Sequence, residues 1–276
     1  MRSFKRIPCV LGLFLLSALG ACAAPPASSE EVTGATSEAL GIYGHMTWNQ
    51  GAPQQVGMTT STGFCFLTEV SGGFRGTGEQ VYLDINSAGQ WTLNGRSSQT
   101  GVSATADCVE WRDLGAHFVS ASITSWTTST PQAAGPNTFC YLAGFSGETN
   151  GGGEAAIVQP GGGGYNLIVN ASSGHGVLAK MACVTMDRDF KMNGQNLYWQ
   201  NRQSCTPSDC NEYYNVSPSQ PGYCLLNQVG GKFRGSGESL TLTHAANSTT
   251  SWTLGITSHQ GQNTGGVHTT VACNFF

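Results

Sequence analysis

Apolar and polar residues alternate with a period of two over short runs along most of the chain. Val81, Leu83 and Ile85 alternate with Tyr82 and Asp84, and Trp91 and Leu93 flank Thr92. Val102, Ala104, Ala106 and Cys108 share one face against Ser103, Thr105 and Asp107. A period of two places alternate side chains on opposite faces of a strand, so these runs predict half-buried β-strands. Glycine turns divide them: Gly72-Gly73, Gly76-Thr77-Gly78 and Ser87-Ala88-Gly89. The pattern returns late in the chain as Leu240/Leu242, Trp252/Leu254 and Val267/Thr269/Val271/Cys273. Helical periodicity of 3.6 is missing.

The strands belong to a sequence repeat. Phe64-Cys65-Phe66-Leu67 runs to Cys108, Phe139-Cys140-Tyr141-Leu142 to Cys183, and Tyr223-Cys224-Leu225-Leu226 to Cys273. A glutamate follows each first cysteine by 14 positions (Glu79, Glu154, Glu238), and a valine precedes each second cysteine by six (Val102, Val177, Val267). Repetition of this kind marks one structural unit used three times. Each unit predicts four strands. A fifth comes from the tryptophan-bearing stretch ahead of it: His45-Met46-Thr47-Trp48, Ile123-Thr124-Ser125-Trp126 or Asn196-Leu197-Tyr198-Trp199. The expected fold is all-β: three tandem antiparallel repeats over 42–111, 112–186 and 187–276, packed against one another. The sequence leaves two arrangements open, a closed pseudo-threefold body and an array.

Residues 1–21 read as a signal peptide: Arg2, Lys5 and Arg6, then an apolar run from Cys9 to Leu19 too short to span a bilayer as a stable helix. It ends in Leu19-Gly20-Ala21-Cys22, which resembles the lipobox of bacterial lipoproteins. That resemblance covers only the first two dozen residues. It implies cleavage before Cys22, a lipid on that cysteine and membrane attachment. Ala23 in the following position implies the outer membrane, on its periplasmic or its surface side. The other reading is an ordinary secretory signal cut a residue or two later. Residues 22–41, rich in Ala, Pro, Ser, Thr and Glu, read as a flexible tether.

Composition narrows the function. Charged residues make up 10% and the net charge is −4, which argues against nucleic acid as a partner. Of ten cysteines, Cys9 lies in the signal and Cys22 in the lipobox, leaving an even set for an oxidising compartment. The repeat suggests Cys65–Cys108, Cys140–Cys183 and Cys224–Cys273, with Cys205 and Cys210 closing a small local loop. Each repeat bridge would contribute roughly 4 kcal/mol on the chain-entropy model. No paired CxxC spacing points to a metal, and no motif points to a cofactor. HExxH, GxSxG and DxDxDG patterns are missing, and Gly161–Gly164 lacks the Lys-Ser/Thr of a phosphate loop. No catalytic motif is recognised, although Glu79 and Glu154 could in principle form a carboxylate pair.

Positions that match in copies one and three but fail in copy two mark the candidate ligand residues. Phe74-Arg75 matches Phe233-Arg234, Trp91 matches Trp252, and Ser97/Gln99 match Ser258/Gln260, whereas copy two carries Thr149-Asn150, Tyr165 and Ala171/Ser173. Arg75, Gln99, Arg234, Gln260 and the neighbouring His259 are therefore the expected ligand contacts, on two equivalent sites. Drift of copy two on an exposed face explains the same pattern. The tryptophans in phase with leucines are expected in the core. The glutamates after glycine turns are expected to accept backbone N–H bonds, the alternative being a ligand or cation role. Repeated β units favour a binding and adhesion protein, lectin-like, with a glycan or surface polymer as partner. A hydrolase with an unrecognised site and a structural envelope or coat role are the alternatives. Ricin-type trefoil lectins share the threefold count, but their QxW signature is missing and these units are nearly twice as long.

Lipidation is directly testable. Cys22→Ser is expected to move the protein from the membrane fraction to the soluble one; unchanged membrane association on fractionation refutes the anchor.

Overall fold

Strands form at the alternating runs, whereas of the expected strand Ile123-Thr124-Ser125-Trp126 only Ile123 is in a strand and Trp126 falls in a bend. The computed structural model describes residues 41–99, 101–133, 135–149, 152–171, 176–187, 197–200, 210–216, 222–235, 237–245, 251–258 and 266–275. The first repeat holds β1 (Gly44–Asn49), β2 (Gln55–Thr59), β3 (Gly63–Ser71), β4 (Gln80–Ile85), β5 (Gln90–Arg96) and β6 (Ser103–Glu110). The second holds β7 (Phe118–Ile123), β8 (Ser129–Ala133), β9 (Thr138–Ser146), β10 (Ala155–Gly161), β11 (Gly164–Asn170) and β12 (Leu178–Met186). The third holds β13 (Leu197–Gln200), β14 (Cys210–Val216), β15 (Gly222–Gly230), β16 (Ser239–His244), β17 (Trp252–Ser258) and β18 (His268–Phe275). The fold is all-β and antiparallel, with six strands per repeat among the described residues. The count exceeds four or five because the stretch before each first cysteine makes two strands. In the first copy, after Trp48, the chain turns through Gly51 and Pro53, the indole N–H of Trp48 donates to the Ala52 carbonyl at 3.0 Å, and β2 departs for another sheet.

A repeat is a unit of sequence but not of sheet. Sheet I has the order β1-β6-β3-β16-β17-β14, sheet II β7-β12-β9-β4-β5-β2, and sheet III β13-β18-β15-β10-β11-β8. Each sheet joins the disulfide-bearing half of one repeat to the other half of the preceding repeat. Repeat three supplies that second half to repeat one, so the sharing is cyclic and the body is pseudo-threefold. Among the described residues the sheets stay open and no barrel closes. The halves meet at seams of three register pairs each: β3–β16 through Ser71↔Ser239 to Glu69↔Thr241, β4–β9 through Gln80↔Ser146 to Tyr82↔Gly144, and β10–β15 through Ala155↔Gly230 to Ile157↔Gln228.

Two sets of backbone bonds lock the seams. The N–H groups of Gly72, Gly147 and Gly231 donate to the carbonyls of Glu238, Glu79 and Glu154 at 2.9, 3.0 and 2.8 Å. Beyond them the chains form a ring about the pseudo-axis: Phe74 N–H donates to Phe233 O at 2.8 Å, Phe233 N–H to Thr149 O at 3.2 Å, and Thr149 N–H to Phe74 O at 2.9 Å. The three glycines have φ of 101°, 110° and 97°, and a Cβ on them would lie 2.3, 2.7 and 2.1 Å from the carbonyl oxygens of Gly101, Gly176 and Gly266. The Gly-Val before each second cysteine is thus the wall against which the seam glycine packs.

The core lies between the sheets. Core-facing Val81, Leu83, Leu240, Leu242, Ala156 and Val158 are buried. Phe64 reaches Phe139 at 5.2 Å and Tyr223 at 6.5 Å, so the residues before the three first cysteines converge. Trp91 and Trp252 are core residues, with indole N–H bonds to the carbonyls of Gly63 (3.1 Å) and Gly222 (3.2 Å). Burial of each large side chain is worth about 1.5–3 kcal/mol. The bridges Cys65–Cys108, Cys140–Cys183 and Cys224–Cys273 pin directly opposed residues of β3/β6, β9/β12 and β15/β18, with Cα atoms 4.0, 4.1 and 4.0 Å apart. Cys22 and the Cys205–Cys210 pairing lie outside the described residues.

Gly147→Ala tests the seam. Alanine in the left-handed region costs about 1–2 kcal/mol before any clash. Denaturant melts should show a loss of at least that size; an unchanged midpoint contradicts the packing described.

Candidate functional site

Outward-facing positions at the three seams are equivalent, and they differ in chemistry. Counting from the cysteines and glutamates, Glu69, Gly144 and Gln228 correspond, as do Thr105, Lys180 and Thr270. On the partner strands Thr241, Tyr82 and Ile157 correspond, as do Thr243, Asp84 and Gln159. The register shifts within β3–β6, β9–β12 and β15–β18 put a bulge beside each seam, at Thr68, Ala143 and Asn227. A bulge bends its strand and re-aims the side chains beside it.

On sheet I a cleft of about 440 Å³ opens among His45, Thr47, Glu69, Thr105, Asp107, Thr241, Thr243 and His244. The Thr105 hydroxyl donates to Glu69 Oε2 at 3.3 Å, and His45 Nδ1 lies 2.8 Å from Asp107 Oδ1. On sheet III the corresponding cleft is about 480 Å³, lined by Ala155, Ile157, Gln159, Asn170, Gln228, His268 and Thr270. There Thr270 Oγ1 donates to Gln228 Oε1 at 2.5 Å. Burial holds the His268 imidazole below its ordinary pKa, opposed by its bond to the Gly266 carbonyl and by Glu154. At the matching place on sheet II charged and aromatic side chains meet. Lys180 Nζ donates to Asp84 Oδ2 at 2.7 Å and stands 4.6 Å from the Tyr82 ring centre and 5.6 Å from that of Trp126.

The residues expected from sequence occupy a different place. Arg75 lies exposed after β3, and its Nε donates to the backbone carbonyl of Arg234. The arginines of copies one and three therefore share one location beside the Phe74–Thr149–Phe233 ring and do not stand on two separate sites. Strand sharing is the cause, because it brings the β3–β4 and β15–β16 loops together. Lys232 joins this region; desolvation first and Arg234 second pull its ammonium below the usual lysine range, with Glu154 opposing. Gln99 lies in the β5–β6 loop, where its backbone N–H donates to the Ser97 hydroxyl at 2.9 Å. His259 and Gln260 lie outside the described residues.

The repeated glutamates are buried. Glu238 Oε2 accepts the Gly235 N–H at 2.7 Å, the turn role its glycine context suggests. Glu79 instead accepts the Ser98 hydroxyl at 3.0 Å, while its Oε2 has no hydrogen-bond partner among the described residues. No group of three or more His, Cys, Asp or Glu able to hold a metal occurs among the described residues.

Matching between copies is a poor guide to the seam faces, because these are the positions at which the copies differ. The available signal was the outward phase of Tyr82/Asp84 and Thr241/Thr243.

Histidine 268 gives a pH prediction. A folded-state pKa below the unfolded value means the unfolded chain takes up protons first. Stability should fall as pH drops below the ordinary histidine range and level off below the lowered pKa. His268→Gln should flatten that slope in melts from pH 7.5 to 5; an unaltered slope removes the assignment. Neither a family model, nor a curated protein, nor a solved structure matches this chain.

Proposed function

We propose that the protein is a binding and adhesion protein that grips a polyhydroxylated polymer, a glycan, with the outer faces of its seams. The observation that carries this reading is the pair of clefts at equivalent places on sheets I and III, both floored by strands, the first lined by hydroxyl, carboxylate and imidazole groups and the second by amide, hydroxyl and imidazole groups. Such groups exchange hydrogen bonds with sugar hydroxyls, and several weak sites on one rigid body gain affinity together when the ligand is a polymer. The three faces present different side chains, which suits a branched or mixed polymer better than three copies of one sugar. Membrane attachment through Cys22, on the outer membrane, belongs to the same proposal. It would hold the faces at a surface where such polymers are met.

A hydrolase is the second reading, and one arrangement favours it. His45 Nδ1 is 2.8 Å from Asp107 Oδ1, and its Nε2 is 3.4 Å from the Thr47 hydroxyl. The order hydroxyl, imidazole, carboxylate is that of an activated nucleophile. The His45 side chain is 67% exposed, however, and open solvent removes the low-dielectric advantage such a relay uses.

A glycan array probed with the chain decides between them. Binding to one or more polysaccharides is expected. Glu69→Ala and Gln228→Ala should each lower avidity several-fold, and the double variant should lose more than either. A blank array removes the binding reading. Turnover of a bound glycan that His45→Ala abolishes would replace it with the hydrolase.

A further inference from the structure

We propose that the aromatic face of sheet II is a site for a single neutral pyranose ring; this rests on the glycan-binding reading and gives it a residue-level form.

Four features make this face a built site. First, Tyr82 from β4 and Trp126 from the bend after β7 meet edge to face, with ring centres 5.3 Å apart and planes at 75°. Both rings are part exposed, so the pair forms an apolar corner open to solvent. Second, the backbone is shaped to receive them. A Cβ on Gly144 would lie 2.6 Å from the Tyr82 Cβ, 3.2 Å from the Trp126 ring and 3.3 Å from the Lys180 Cβ. The equivalent positions on the other two faces, Glu69 and Gln228, carry side chains, and among the described residues no such ring pair covers them. Glycine and rings occur together.

Third, Asp84 stands beside the rings with its side chain 43% exposed. Lys180 Nζ occupies Oδ2 at 2.7 Å, and the Ile85 N–H occupies Oδ1 at 2.9 Å. A carboxylate has about four lone-pair sites, so roughly two stay open to accept hydroxyl donors. Fourth, Lys180 is committed. Its side chain is 9% exposed, held by Asp84 and by the faces of Tyr82 and Trp126. It fixes the carboxylate and the rings and offers no free charge outward.

These features select the ligand. The C–H face of a pyranose packs on an aromatic ring, and vicinal hydroxyls donate to a carboxylate held in place. A uronic or sialic acid brings a second carboxylate toward Asp84, with the nearby ammonium already paired, so neutral sugars are favoured. Asp84, Tyr82 and Trp126 touch the ligand in this scheme; Lys180 is a positioning residue.

The full-length chain, with 5-fluorotryptophan in place of tryptophan, is titrated with the methyl pyranosides of glucose, galactose and mannose and with glucuronate. Trp126→Phe assigns the Trp126 fluorine resonance. At least one neutral sugar should shift that resonance and saturate in the millimolar range, and glucuronate should not. Asp84→Asn should weaken the neutral sugar several-fold, and Lys180→Ala should weaken it while Lys180→Arg restores part of the loss. An unmoved Trp126 resonance with all three neutral sugars overturns the site, and so does a stronger response to glucuronate. The resonance is read in the wild-type protein, so beyond the assigning Trp126→Phe the outcome does not depend on whether a variant folds. If the array binds glycan while Trp126 stays silent, this site falls and the broader reading stands. If no glycan binds anywhere, both fall.

Discussion

The seam between shared sheet halves is the constraint on which the rest of the molecule depends. Each half-sheet has three strands and an apolar underside. Each acquires its neighbour through three register pairs, one glycine-to-glutamate backbone bond and a share in the Phe74–Thr149–Phe233 ring. The glycine must adopt a left-handed conformation, and another glycine's carbonyl fills the space where its side chain would be. Sequence copying is strictest where this geometry recurs: the Gly-Val pair, the glutamate and the cysteine that staples each half. The residues kept in all three copies are those that let one repeat hold the next.

Much of the fold was legible because it is local. The phase of Val81/Leu83 against Tyr82/Asp84 marks a half-buried strand without any tertiary knowledge, and Trp91 in phase with Leu93 is buried as that phase requires. The bridges followed from the repeat, since directly opposed strands leave each cysteine one neighbour. Strand sharing was not legible. Nothing in the alternation of β4 distinguishes pairing with β3 of its own repeat from pairing with β9 of the next. That choice is made by loop geometry around Gly72 and Phe74. The same blindness misplaced Arg75 and Arg234, which look like two sites along the chain and meet at one point in space.

Repeated scaffold and varied faces divide the labour among alternate residues of the same strands. On β16, Leu240 and Leu242 serve the core while Thr241 and Thr243 line a cleft; on β10, Ala156 and Val158 do so while Ile157 and Gln159 line another. The inward set is held by packing density, so substitution there is felt at once. The outward set is free to change provided the strand still pairs. One architecture therefore carries three chemistries: an acidic, histidine-bearing cleft, an amide-lined cleft and an aromatic corner closed around Lys180. In copy two, Gly144 and Lys180 belong to the face that carries Tyr82 and Trp126.

Cyclic sharing also sets a timetable. The strand that completes sheet I beside β3 is β16, encoded near the far end of the chain. While the polypeptide emerges, β3 stands as a bare edge with apolar residues beneath it, and it stays so until Ser239–Thr241 arrive. A chain cut short in the third repeat is therefore not a smaller version of this protein. It is an unclosed ring whose β3 edge is left bare where the full chain has a seam, and a bare edge of that kind is open to pairing with whatever strand it meets.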